Sequence, residues 1–222
     1  MKRRYFLEAM SLGSLAALGK IEQRKALAEE TEKEGQWGSM DPRIEVNLDH
    51  IAWNLEQIRK RVKVPIMAVV KANAYGHGLV EVGEALEKCG VDWLMVGKLE
   101  EAIRLRRAGL QCPILNYGPF SREDDEAIVN WNISQSVCSE EAIHLNETAS
   151  KLQKKVGIHV EIDTGMGRIG VPYSQALPLL DKFSSLSQLE IQGICTTLTE
   201  DKEFDLEQLK RFLNLCFSAE DK

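Results

Sequence analysis

The chain has 222 residues, of which 44% are hydrophobic and 28% are charged, a composition typical of a globular protein with a sizeable core. This apolar content excludes a disordered polymer. With 28 basic and 34 acidic side chains the formal net charge is −6, so we expect no nucleic acid partner, because nothing here supplies a basic field for a phosphate backbone. The five cysteines lack the paired spacing of a zinc site or a disulfide framework, and we expect them to be small buried residues.

Residues 1–28 have the order of an export signal: basic residues, a mildly apolar run, then small residues. The run is far shorter than the roughly 20 apolar residues that a membrane span needs, so we expect no membrane anchor. Arg3 and Arg4 begin a stretch that resembles a twin-arginine signal, which predicts export to the periplasm. A basic leader helix on a cytoplasmic protein is the alternative. Residues 29–42 are charged, show no apolar period and are predicted to be a tether.

From residue 43 onward, short apolar runs alternate with segments of helical periodicity, a pattern that predicts repeated β-α units with parallel strands. The predicted strands cover residues 44–48, 66–71, 93–97, 114–117, 134–137, 158–163 and 191–196. The predicted helices cover residues 79–88, 99–108, 123–129, 139–152, 174–186 and 205–217. A doubly wound sheet usually carries a glycine-rich dinucleotide motif that is missing here, so we favour an α/β fold of the (β/α)8 TIM-barrel type. About six β-α units end at Lys222, two short of closure, and we therefore expect an incomplete barrel.

The first candidate for chemistry is Lys71, which ends the apolar strand predicted at residues 66–71. Sites in parallel β-α folds assemble at the carboxyl ends of strands, where an amine can act as a nucleophile. Burial among apolar neighbours would lower the pKa of this amine. Tyr75 and the glycine-rich turn after it could offer a hydroxyl and backbone N–H groups to a phosphate. A solvated lysine before an ordinary strand-to-helix turn is the alternative.

The second candidate is the polar face of the strand predicted at residues 158–163. Alternation places His159, Glu161 and Asp163 towards the barrel interior and the apolar residues towards the helices. Buried titratable groups need partners, and Arg168 on the glycine-rich loop that follows is a fixed cation able to pair with a carboxylate of the wall or of a substrate. The three polar side chains are also of metal-ligand types, but no second histidine cluster accompanies them, so a metal site is the weaker alternative.

Two stretches resemble motifs of a known family. Residues 68–78, AVVKANAYGHG, closely resemble the lysine motif of the alanine racemases, and residues 163–170, DTGMGRIG, resemble their arginine-bearing motif. The resemblance runs from Arg43 to Phe212. It implies a barrel that holds pyridoxal 5′-phosphate as an electron sink and converts a small amino acid, L-alanine, to its D form.

The resemblance also implies roles for single residues. Lys71 would be the Schiff-base lysine and one of two racemisation bases, Tyr75 a ligand of the cofactor phosphate, and Arg168 a contact for the phenolic oxygen of the cofactor and for the substrate carboxylate. Members of the family are homodimers in which a tyrosine of a carboxyl-terminal β-rich domain supplies the opposite base.

The sequence departs from the family pattern in three places. Glu161 stands where the family usually carries a lysine, often carbamylated, and its carboxylate can supply the same negative partner to Arg168. Thr197 stands where the family has a histidine. The last two barrel strands and the β-rich domain have no counterpart before Lys222. We therefore predict that residues 43–222 are a truncated amino-terminal barrel portion of a racemase, without the carboxyl-terminal β domain and with turnover far below that of an intact enzyme.

Two other functions are compatible with the same residues. A non-catalytic pyridoxal-phosphate-binding protein of the single-barrel kind would need no β domain. A non-enzymatic racemase remnant could pair with intact racemase subunits through the exposed edges of its unclosed barrel. The sequence does not predict whether the substrate is alanine, serine or another amino acid. In members of the family the walls of the substrate pocket belong mainly to the part of the protein that has no counterpart here.

Overall fold

The computed structural model describes residues 44–220, so the predicted export signal and tether lie outside the described residues. The compact unit begins at Val46. Its strands are β1 (Met67–Val69), β2 (Trp93–Val96), β3 (Ile114–Asn116), β4 (Ser134–Val137), β5 (Val156–Asp163), β6 (Val171–Pro172) and β7 (Leu189–Cys195). Its helices are α1 (Leu48–Arg61), α2 (Leu79–Lys88), α3 (Leu99–Ala108), α4 (Asp125–Asn130), α5 (Ile143–Lys151), α6 (Ala176–Ser184) and α7 (Lys202–Glu220).

The strands form one parallel sheet in the order β1-β2-β3-β4-β5-β7, and the two-residue β6 pairs with the end of β5. Helices of the β-α units separate consecutive long strands along the chain, which is the arrangement of a TIM barrel. Among the described strands, β1 and β7 each pair on one side only, so the barrel is an open arc. The predicted α/β fold, an incomplete TIM-type barrel, is confirmed.

The prediction of a strand at residues 44–48 is wrong. No strand forms there, and α1 begins at Leu48, because the side-chain oxygen of Asn47 accepts hydrogen bonds from the N–H groups of Asp49 at 2.9 Å and His50 at 3.2 Å. Such a cap satisfies two of the N–H groups that the first turn of a helix leaves free. No helix was predicted at the position of α1.

The core lies between the sheet and the helices and consists of two apolar clusters. One surrounds β1–β3 with α2 and α3 and includes the fully buried Leu94 and Leu105, and the other surrounds β4–β7 with α5–α7 and includes Ile158 and Phe183. None of the helices within residues 44–220 combines the length and the apolarity that a membrane crossing needs.

The inner face of the sheet is polar. Asn116 of β3 donates to Gln135 of β4 at 2.8 Å, and Gln135 donates in turn to the Gly118 carbonyl at 2.9 Å. His159 of β5 points to the same face, where its ring meets Trp93 of β2 edge-on at a centroid distance of 5.0 Å. The predicted alternation along β5 is therefore confirmed, and it carries polar side chains up to the carboxyl end of the sheet.

Candidate active site

Lys71 follows the carboxyl end of β1. The preceding residue, Val70, still donates its N–H to the Met95 carbonyl of β2 at 2.8 Å. The lysine stem lies against Gly97 at the end of β2, where a Cβ would come within 3.2 Å of the Lys71 Cβ and 3.7 Å of its Cδ. Glycine at position 97 thus leaves room for the lysine over the neighbouring strand end. Lys71 is exposed, so the burial among apolar neighbours that the sequence analysis invoked is not found.

The backbone after Lys71 is left-handed. Residues 72–75 all have φ between 53° and 56°, and each such non-glycine residue costs roughly 1–2 kcal/mol. Glu101 of α3 supports the turn: one carboxylate oxygen accepts the Asn73 N–H at 3.0 Å and the other accepts the Gly97 N–H at 3.1 Å. The Asn73 side chain accepts the Leu79 N–H at 3.0 Å and so joins the turn to α2. Strain that neighbouring groups hold in place is a feature of functional sites.

Tyr75 ends this turn with a side chain that is 60% exposed. The N–H groups of the next three residues, Gly76, His77 and Gly78, donate to carbonyls inside the turn, each at 3.1 Å. They are therefore not free for a phosphate, contrary to the expectation from the sequence. The Tyr75 hydroxyl is the group that the turn offers.

Glu161 is a carboxylate with 1% exposure near the carboxyl end of β5. Its oxygens accept hydrogen bonds from the Cys195 thiol at 2.8 Å and from the Thr197 hydroxyl at 3.2 Å, and the Tyr117 hydroxyl lies 3.2 Å from the Thr197 hydroxyl. Burial, together with the adjacent Glu161, raises the pKa of Cys195 and of Tyr117 above their usual values. Glu161 and Tyr117 also line a cavity of about 110 Å³ with Cys138.

Arg168 lies on the loop after β5, and the loop turns back on the strand. The Asp163 carboxylate accepts the N–H groups of Gly165 at 2.9 Å and Gly167 at 3.1 Å. Gly170 has a φ of 118° and approaches the loop base so closely that a Cβ would lie 2.6 Å from the Asp163 nitrogen. Arg168 is exposed and takes part in none of the ion pairs within residues 44–220.

The pairing of Glu161 with Arg168 that the sequence analysis expected is thus absent from this structure, because two hydroxyl groups and a thiol surround the carboxylate instead. The metal alternative has no support either. His159 packs on Trp93 with a buried Nε2 that has no partner, and within residues 44–220 no three His, Cys, Asp or Glu side chains are arranged to hold a metal ion.

The parallel sheet brings Lys71, Tyr75, Glu161 and Arg168 to the same end of the barrel, at the carboxyl ends of β1 and β5. The residues that support them were not predicted from the sequence. Cys195 is a hydrogen-bond donor to Glu161 and not merely a small apolar residue. The order of strands, which the sequence pattern does not contain, decides which of these side chains meet.

Known proteins resemble this chain over most of its length. The family described as "Alanine racemase, N-terminal domain" matches residues 46–222. Alanine racemase 2 of Caldanaerobacter subterraneus subsp. tengcongensis is 41% identical over 182 residues, which are 78% of this chain and 47% of that protein. Alanine racemase 1 of Clostridium acetobutylicum is 42% identical over 177 residues, which are 76% of this chain and 45% of that protein. The chain spans about half the length of the curated relatives it matches.

Solved structures agree in fold. The alanine racemase of Clostridium difficile 630 superposes with a TM-score of 0.76 at 35% identity, over 79% of this chain and 48% of that one. The alanine racemase of Corynebacterium glutamicum gives a TM-score of 0.72 at 29% identity, over 80% of this chain and 52% of that one. The matched family domain includes the β1 end with Lys71 and the loop with Arg168. By the family match and the shared barrel, the chain belongs to the alanine racemase family.

Proposed function

We propose that this chain binds pyridoxal 5′-phosphate through Lys71 and takes part in the interconversion of L-alanine and D-alanine. The observation that carries the proposal is the exposed amine of Lys71, which lies over Gly97 and precedes a strained turn held by Glu101. The residues present fit the cofactor: an amine suits its aldehyde, and the Tyr75 hydroxyl and the Arg168 cation suit its phosphate and phenolic oxygens.

When bound, pyridoxal phosphate supplies an electron sink that makes the Cα hydrogen of an amino acid acidic. Lys71 holds the cofactor and moves a proton at Cα on one face of the substrate. Arg168 binds the substrate carboxylate, and Glu161 lies against the base of the loop that carries Arg168, at Gly170.

Racemisation requires a second proton donor on the opposite face of Cα. We assign none of the tyrosines within residues 44–220 to this role. Tyr75 is proposed to bind the phosphate, Tyr117 lies beside Thr197, and the ring of Tyr173 is in contact with Arg211. We propose that the second base comes from outside the described residues, in a homodimer of the kind the family resemblance implies.

The first prediction concerns cofactor attachment. Borohydride reduction after incubation with pyridoxal phosphate should label Lys71, because the amine is exposed at the strand end, and peptide mapping should find the label there. Lys71→Ala should lose the label. Lys98→Ala, which removes another exposed lysine, two residues after β2, should retain it. Label spread evenly over surface lysines, or unaffected by Lys71→Ala, would contradict the assignment.

The second prediction concerns the proton at Cα. In D₂O with pyridoxal phosphate, the chain should exchange the Cα hydrogen of L-alanine, and Lys71→Ala should slow the exchange by about 10²–10⁴-fold, the usual contribution of a positioned base. We expect exchange to outpace the appearance of D-alanine, because the described residues offer one base only. Proton NMR follows the exchange and a chiral assay follows D-alanine. Equal exchange rates in Lys71→Ala and Lys98→Ala would refute the role of Lys71.

The third prediction tests the charge on Glu161. Burial and the Glu161 carboxylate raise the pKa of the Cys195 thiol, so the thiol stays protonated at pH 8 and should react slowly with iodoacetamide. Glu161→Gln removes the negative charge and should speed the alkylation of Cys195 several-fold at the same pH. Mass spectrometry of the modified peptides gives both rates, with Cys89, which directly follows α2, as the internal control. An unchanged rate at Cys195 would contradict the influence of Glu161 on this thiol.

We also propose that residues 1–28 direct export to the periplasm through the twin-arginine route, as their order of residues suggests. That signal is read by a receptor and is not merely positive, so replacing Arg3 and Arg4 together by lysine should keep the protein in the cytoplasm. Arg24→Lys is the matched control and should be exported normally. Cell fractionation measures both. Unchanged export of the double variant would assign the leader to the general secretory route, and no export of any form would favour the leader helix.

A further inference from the structure

The side chain of Gln208 on α7 is completely buried and is shared between two loops of the candidate site. Its amide nitrogen donates to the Thr164 hydroxyl at 3.1 Å and to the Thr197 carbonyl at 3.0 Å, and its amide oxygen accepts the Thr199 N–H at 3.0 Å. Thr164 belongs to the loop after β5, whereas Thr197 and Thr199 follow β7. One side chain therefore joins the ends of two neighbouring strands.

Arg211, one turn further along α7, holds the same loop from its outer side. Its guanidinium donates to the Thr164 carbonyl at 2.9 Å. Its guanidinium carbon lies 5.3 Å from the ring centre of Tyr173 and 5.5 Å from that of Phe204, so the cation is in contact with two aromatic rings. The planar group has little freedom to leave the Thr164 carbonyl.

The helix also touches the loop backbone directly. At Gly165, where φ is 144°, a Cβ would lie 2.6 Å from the Phe204 ring. Asp163, the last residue of β5, also supports the loop, because its carboxylate accepts the N–H groups of Gly165 and Gly167. The Arg168 guanidinium has no ion-pair partner within residues 44–220, so the position of the loop backbone governs where this exposed side chain can reach.

The same contacts reach the buried carboxylate. Thr197 accepts a hydrogen bond from Gln208 at its carbonyl and donates its hydroxyl to Glu161 at 3.2 Å. Thr164, fully buried, is also bonded to the Thr196 hydroxyl at 2.8 Å. Gln208 is thus the side chain through which the loop of Arg168 and the surroundings of Glu161 are held in one arrangement.

We propose that Gln208 and Arg211 are positioning residues, which fix the Arg168 loop and thereby set the affinity of the site for pyridoxal phosphate. The affinity part rests on the function proposed above, whereas the part on loop position does not. Loss of Gln208 would leave the Thr164 hydroxyl and the Thr197 carbonyl buried without this donor, and the loop would open to regain hydrogen bonds from water.

In the protein without cofactor, the rate of trypsin cleavage after Arg168 measures how readily the loop opens. Gln208→Leu should raise the cleavage rate at this bond about tenfold, since the lost hydrogen bonds make local opening easier. Arg211→Lys keeps the positive charge but removes the planar guanidinium, and should give an intermediate rate of cleavage. Lys210→Ala, at an exposed position of the same helix, is the matched control and should leave the rate unchanged.

Titration with pyridoxal phosphate, followed by absorbance, completes the test. The Gln208→Leu variant should bind about tenfold more weakly than the unaltered protein, while the cleavage rate at bonds outside the loop stays unchanged. Unchanged cleavage after Arg168, or equal acceleration at every site, would overturn the positioning role. If Gln208→Leu does not fold, the comparison of Arg211→Lys with Lys210→Ala decides the same question. If the unaltered protein takes up no cofactor at Lys71, the proposed function fails. The cleavage rates would still show whether Gln208 and Arg211 hold the loop in place.

Discussion

Parallel pairing of the strands is the constraint on which the candidate site depends. It places the carboxyl ends of all the strands at the same end of the barrel. Lys71 after β1 therefore shares that end with Glu161 near the end of β5 and Thr197 after β7. These residues are far apart in the chain, and only the hydrogen-bonded ladder brings them to one edge. Reversing β1, β5 or β7 would have moved one of these groups to the opposite end of the barrel.

Two buried or half-buried carboxylates support the two ends of the site in different ways. Glu101 uses both oxygens to hold backbone N–H groups around Lys71, which offsets the cost of the left-handed turn at residues 72–75. Within residues 44–220 Glu161 takes part in no ion pair and accepts hydrogen bonds from neutral donors, an arrangement that makes the carboxylate costly to bury and sensitive to its neighbours. The first carboxylate holds backbone groups, and the second is held by side chains.

Much of the fold could be predicted from the pattern of residues. The bounds predicted for α2 and α3 agree with the structure, because both helices are amphipathic and a glycine in the left-handed region follows each of them closely. The prediction at residues 44–48 was wrong, since the same alternating residues that suggest a strand lead into a helix capped by Asn47. A cap of this kind is a single side-chain interaction, and it overrides a short apolar alternation.

The amino-acid sequence by itself determined the β-α alternation, the inward polar face of β5 and the two motifs that carry Lys71 and Arg168, because each of these depends on local spacing. Only the tertiary structure decided that Glu161 accepts hydrogen bonds from Cys195 and Thr197, and that Gln208 joins the loops after β5 and β7. Those contacts link separate strands and a helix, and their partners depend on which strands pair and in what register. Residue spacing along the chain contains no such information.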